Sequence, residues 1–207
     1  MKQRRAIFYI DGYNLFYGLK EQGWRKYYWL DLSTFAQQIL KPEQKLVAVK
    51  YFTSRIASDP HERIRQGTYI EALETLPNIT FQYGKFMTDT MVCTNQACKR
   101  NLQIHNEKQT DVNIAVSLLG DAQDGHFDDA YLVTADSDQV GTVSYVREHY
   151  PDLRVIIAFP PKRVSNELRT VASGVFHLRE SHFSGCQFPE ELLSKKGFKL
   201  TRPISWQ

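Results

Sequence analysis

The chain has 207 residues and a mass of 24.1 kDa, which suits one domain with a substantial core. At 42% hydrophobic and 24% charged residues it is globular and not disordered. Its net charge of +3 neither demands nor excludes a polyanionic partner, because local clustering outweighs the total, and no apolar run is long enough to span a bilayer.

The first apolar run, AIFYI at 6–10, is cut by Asp11, too soon for the hydrophobic stretch of a signal peptide, and reads as a buried strand. Further candidate strands are KLVAVKYFT (45–53), ITFQYGKF (79–86), AYLVTA (130–135), RVIIAF (154–159) and GVFHL (174–178). Helix start signals lie between them. Asp31 precedes LSTFAQQIL, and Asp59-Pro60 places an N-cap ahead of a proline at the first helical position. TDVNIAVSLLGDA repeats apolar residues at helical spacing, and Ser165 precedes NELRTVA. The alternation predicts an α/β fold, a central mainly parallel sheet with helices on both faces. Residues 87–107 read as a polar insertion ahead of a helix. The tail from about Ser181 lacks strong periodicity and is expected to pack on the domain formed by residues 1–180. Three cysteines, an odd number, suggest a reducing compartment, so a cytoplasmic protein is expected.

In open α/β sheets, ligands bind beyond the carboxyl ends of the strands, near a reversal in strand order. Asp11 follows the first strand, and Asp136 and Asp138 follow AYLVTA. Asp111 opens a helix whose start can face the same edge. Carboxylates that converge within a few ångströms cannot all stay ionised unless a cation joins them. Oxygen ligands favour Mg²⁺ or Mn²⁺, which can activate a water and steady the leaving oxygen of a phosphodiester; paired metals about 4 Å apart do both. Asn14, one turn beyond Asp11, is placed to orient a carboxylate or the attacking water. Each acid alone also fits a plain structural role, since Asp-Gly makes turns and DSD before a helix makes an N-cap. Neither G-x-x-x-x-G-K-[ST] nor G-x-G-x-x-G is present, and a phosphatase with an aspartyl nucleophile would want an acid at Tyr13.

Three blocks in order, YIDGYNLFYGL, EKQTDVNIAVSLL and YLVTADSDQVGTVSYV, resemble the NYN domain family, a PIN-like nuclease group, and especially its bacterial LabA-like (DUF88) branch. The resemblance covers roughly residues 4–178, and the ending QFPEELL…RPISW is similar too. It implies a Rossmann-like PIN fold with a metal-dependent acidic site acting on RNA. On that resemblance Asp11, Asp111, Asp136 and Asp138 are the metal-binding and catalytic acids, Asn14 is the family asparagine, and Lys108 is the lysine before the helix. One departure stands out: many relatives carry an aspartate in the middle of that helix, where this chain has Ser117. The expected function is therefore a Mg²⁺- or Mn²⁺-dependent ribonuclease acting on single-stranded or structured RNA. The alternative is a catalytically weak or inactive RNA-binding or protein-interaction module. The sequence leaves room for a homodimer.

Secondary signals are weaker. Cys93, Cys98 and His105 give a partial zinc pattern that His182 and Cys186 could complete, against the plain reading of free thiols in a loop. WRKYYWLDL (24–32) interleaves aromatics with Arg25 and Lys26, which suits RNA stacking, although covering the sheet edge is the favoured reading. Lys162 and Arg163, after RVIIAFPP, are better candidates for phosphate contact at the strand-end edge.

Overall fold

The computed structural model describes residues 3–56, 59–92 and 101–207, with the backbone alone for residues 86–92 and 101–107. The chain runs β1 (Arg4–Asp11), α1 (Gly12–Glu21), α2 (Leu32–Ile39), β2 (Gln44–Thr53), α3 (Pro60–Glu74) and β3 (Ile79–Tyr83). A hairpin of β4 (Lys85–Val92) and β5 (Asn101–Lys108) leads into α4 (Thr110–Gln123). Then come β6 (Asp129–Val133), α5 (Val140–His149), β7 (Arg154–Phe159), α6 (Asn166–Val171) and β8 (Gly174–His177). The tail adds α7 (Glu180–Phe183), β9 (Glu191–Leu193) and β10 (Lys199–Thr201).

Six strands form one sheet in the order β3-β2-β1-β6-β7-β8, every pairing parallel. Such a sheet needs both faces covered, and β1 shows it: Ala6 through Asp11 are all buried. Ala6, Phe8 and Ile10 join one apolar cluster with Leu15, Leu19, Phe35 and Leu73 from α1, α2 and α3. Ile7 and Tyr9 join a second with Ile114, Leu118, Val143 and Leu168 from α4, α5 and α6. The order of strands reverses between β1 and β6, so the crevice of this doubly wound fold opens beside the ends of those two strands.

The helix starts follow from local capping. Asp31 accepts from the backbone N–H of Ser33 and Thr34, Asp59 from those of His61 and Glu62, and Ser165 from that of Leu168. Each cap contributes about 1 kcal/mol. The stretch read as one strand over 79–86 is instead two: β3 stops at Tyr83, and Gly84 turns the chain into β4. A Cβ at Gly84 would lie 2.5 Å from Thr110 Oγ1 and 2.7 Å from the Lys108 carbonyl oxygen, so only glycine lets the hairpin pass the start of α4. Most of the polar insertion is thus an antiparallel hairpin in which Lys85 pairs with Lys108.

Tail residues Phe183, Cys186, Phe188, Leu200 and Trp206 lie in the same cluster as α1 and α2. Trp29 is fully buried among them, and its indole N–H donates to the Pro189 carbonyl at 2.8 Å. At the amino ends of the strands, buried Asp129 accepts from Arg4, Arg154 and Gln44. Tyr131 in turn donates to Gln44 Oε1 at 2.9 Å. No helix among the described residues is long and apolar enough to cross a membrane.

Candidate active site

Two separate pieces of chain bring three carboxylates together at the switch point. Asp111 sits in the first turn of α4. Asp136 caps a short 3-10 turn, Ser137–Gln139, that follows β6, and Asp138 lies within that turn. One oxygen from each acid lies within 4.8 Å of the others; Asp111 and Asp136 are half-buried and Asp138 is exposed. Burial pushes the Asp111 carboxyl above the usual range, and the charges on Asp136 and Asp138 push it further. Protonation or a bound cation relieves such a cluster.

The surrounding hydrogen bonds fix the acids in place. Asp136 Oδ1 accepts from the Asp138 N–H at 3.0 Å. Thr134 Oγ1 accepts from the Asp136 N–H at 3.1 Å and donates to Asp11 Oδ2 at 3.0 Å. Asn14 Oδ1 accepts from the Ala135 N–H at 3.2 Å. Buried Gln139 donates to the Asp111 carbonyl at 3.0 Å and ties α4 to the loop after β6, while its Oε1 has no hydrogen-bond partner. Thr134 and Gln139 are contributors that the sequence did not single out. Their signal was their place within VTADSDQ, flanking the two acids. Gln109, just before α4, takes a left-handed φ of 77°, a strained conformation for a residue with a Cβ beside the acids.

Asp11 stands beside this group and not within it. Its Oδ1 accepts from the Asn14 N–H at 2.9 Å, capping α1, so the local role weighed for it from the sequence is present. It also feels the acids. Burial raises its carboxyl to about 6 despite its two hydrogen bonds, with further contributions from Asp111 and Asp136. Lys108 is exposed next to the strained turn. Lys162 is exposed at φ 60°, whereas Arg163 is paired with Glu21 at 2.5 Å. Ser117 lies outside the acidic group. Its Oγ accepts from Lys50 at 3.1 Å and from Gln82 at 3.2 Å, within a network in which Lys50 also pairs with Asp121 at 2.6 Å.

Of the zinc candidates, Cys93 and Cys98 and the side chain of His105 lie outside the described residues. Cys186 is buried with its thiol donating to Gln38 Oε1 at 2.9 Å, and His182 Nδ1 accepts from the Arg179 N–H. Both have protein partners of their own.

The three-acid set fits a hard divalent cation. All donors are oxygens, and opposite ligands about 4.2 Å apart would satisfy bonds of about 2.1 Å with little movement. Comparison with known proteins places the chain in a family. A family model for the NYN domain matches residues 5–179. The chain belongs to the NYN domain family. This NYN protein is 26% identical over 239 residues to the 6-hydroxy-3-succinoylpyridine 3-monooxygenase HspA of Pseudomonas putida (strain DSM 28022 / S16), covering 98% of this chain and 75% of that protein. Its fold matches the crystal structure of a Vibrio parahaemolyticus RIMD 2210633 protein of unknown function, with a TM-score of 0.58 at 18% identity over 86% of this chain and 95% of that one. The family and fold are of nuclease type, and an acidic cluster sits where such a fold places its ligands.

Proposed function

We propose that this NYN protein is a metal-dependent ribonuclease that hydrolyses RNA phosphodiester bonds at the cluster of Asp111, Asp136 and Asp138. The observation that carries the reading is the convergence of these three carboxylates from two chain segments at the one edge where an open α/β sheet binds ligands. Asp111, Asp136 and Asp138 would hold Mg²⁺ or Mn²⁺. A bound ion of this kind supplies Lewis acidity toward a phosphoryl oxygen and a water of lowered pKa.

The chain's own groups do the rest. Thr134 and Asn14 fix the loop that carries Asp136, and Gln139 fixes the start of α4 that carries Asp111. Asp11 adds a fourth negative group beneath the cluster and holds Thr134 in register. Lys108 and Lys162, both exposed, would meet RNA phosphates. Arg163 contributes to the same edge through its contact with Tyr17, its charge being shared with Glu21.

Purified protein is expected to cleave single-stranded or structured RNA with Mg²⁺ or Mn²⁺ and to lose that activity in chelator. The absence of cleavage with either metal would leave the binding-module reading, which the neutral Ser117 favours. Turnover of 6-hydroxy-3-succinoylpyridine in its place would move the protein to the chemistry in its relative's name.

A further inference from the structure

On the opposite face of the sheet from α4, a cavity of about 320 Å³ lies between α1, α3, the Arg25–Tyr27 turn and the end of the tail. Eight of its twenty lining residues are aromatic, against 13% in the whole chain, so the enrichment is far beyond composition. The rings touch in series. Tyr13 stacks near Tyr17 at 6.1 Å, Phe16 packs on Tyr28 at 4.9 Å, and Tyr28 meets Trp206 edge-on at 5.7 Å. Lys20 and Arg163 lie over the Tyr17 ring at 5.5 and 5.9 Å and fix its plane.

Phe16 and Tyr17 remain 37% and 40% exposed, so two adjacent lining rings of α1 are open to solvent. Among the lining residues the cations Lys20, Arg25 and Arg65 face a single acid, Glu62. The occupant such walls favour is therefore planar and aromatic with an anionic group attached.

Its placement ties the cavity to the acids. Gly12 and Tyr13, which line it, follow Asp11 directly in the chain, and Thr53 ends the neighbouring strand. A Cβ at Gly12 would lie 2.7 Å from the Tyr51 ring and 2.8 Å from the Phe52 carbonyl oxygen, so this close approach needs glycine. A ligand in the cavity thus lies against the residues that directly follow Asp11, at the carboxyl end of β1, and Asp11 feels the charges of Asp111 and Asp136.

We infer that the cavity is a nucleobase pocket. It would take one unstacked base of a single-stranded RNA whose backbone runs over the end of β1 toward Asp111, Asp136 and Asp138. The inference rests on the ribonuclease reading for the direction of the strand, and on the aromatic and basic lining for the base.

The test is fluorescence anisotropy of labelled short single-stranded RNA on the Asp136→Asn protein, where cleavage does not interfere. A single abasic residue is stepped along the strand. Tyr17→Ala is expected to weaken binding roughly tenfold, the range for loss of one base–aromatic stack. One abasic position should cost about as much with Tyr17 present and nothing with Tyr17→Ala. Arg65→Gln, which removes a charge and leaves the rings in place, should weaken binding and reduce the slope of log affinity against log salt by about one. Melting curves check that both variants fold.

Unchanged affinity in both folded variants would overturn the pocket, as would equal loss at every abasic position or no RNA binding at all. Occupancy by free pyridine-3-carboxylate that RNA does not compete away would overturn it too, assigning the cavity to a small heteroaromatic acid. The nuclease reading is scored separately with Asp136 intact. RNA cleavage without position dependence leaves that reading standing and removes the pocket, and position-dependent binding without cleavage does the reverse.

Discussion

Asp11→Asn is expected to resist urea better than the wild-type chain at pH 8 in chelator, while cleaving RNA on the order of 100-fold more slowly. Both halves come from the same burial. The Asp11 carboxyl is 4% exposed and titrates near 6, well above its usual 3.8. A carboxyl whose folded pKa is raised favours folding most when it is protonated, below about pH 3.8. That contribution is lost as pH climbs through about 6. At 1.36 kcal/mol per pKa unit, the ceiling is about 3 kcal/mol of lost stability at pH 8. Asparagine keeps the cap on the Asn14 N–H and can donate to Thr134 Oγ1 without the charge, so a gain of roughly 1–2 kcal/mol is expected. The gain should shrink at pH 5, where Asp11 is mostly protonated. If Asp11→Asn is less stable at pH 8 and cleaves as fast as wild type, Asp11 is a helix cap and nothing more.

Asp129→Ala is expected to destabilise the fold by about 2–4 kcal/mol, lowering the melting temperature by roughly 5–15 °C, with no specific effect on RNA cleavage at temperatures where the variant is folded. Asp129 is fully buried, yet it takes hydrogen bonds from Arg4 at 2.6 Å, Arg154 at 2.7 Å and Gln44 at 2.5 Å. Those bonds outweigh the cost of burial and hold its carboxyl well below the usual carboxylate range. Its depressed pKa gives stability that is present above pH 4 and fades as the solution is acidified below it. Alanine would leave the Gln44 amide without its acceptor and the two arginines without a partner for their inner nitrogens. Calorimetry with the cleavage assay in parallel checks both parts. A variant that melts like wild type would show that the two arginines, being partly exposed, contribute little.

The two acids call on opposite ends of the same sheet, and only one end was legible in the sequence. The strand ends carrying Asp11 and Asp136 stood out because an apolar run stops abruptly at an acid. The capped starts of α2, α3 and α6 were readable because capping is local chemistry between neighbours in the chain. The shared carboxyl-end edge followed from the rule for open α/β sheets, and β1 and β6 are neighbours there.

Asp129 carried no such mark. It opens β6, and its partners Arg4, Gln44 and Arg154 are drawn from three other strands, so only the assembled sheet brings them together. The hairpin before α4 was hidden for a different reason. Its residues are mostly polar, and the turn at Gly84 is dictated by crowding against Thr110 and Lys108, which no local pattern records. The aromatic cavity was half visible. The run WRKYYWLDL stood out for its aromatics, and Tyr27, Tyr28 and Trp29 are buried in the cluster against which Trp24 packs, but Tyr13, Tyr17, Tyr69 and Trp206 come from three other segments and meet only in the fold. Asp11 was ambiguous in the sequence and is dual in the structure, a cap that also feels the cluster.

The most direct test is the rate of RNA cleavage in saturating Mn²⁺ by the wild-type protein and by Asp136→Asn, compared at equal folded concentration. Asp136 is the acid that joins the cluster to the loop after β6, and its Oδ1 receives the Asp138 N–H. Loss of one charged ligand should lower the rate on the order of 1000-fold while the melting temperature in chelator stays close to that of wild type. Cleavage by Asp136→Asn at the wild-type rate would contradict the assignment of the reaction to these three carboxylates.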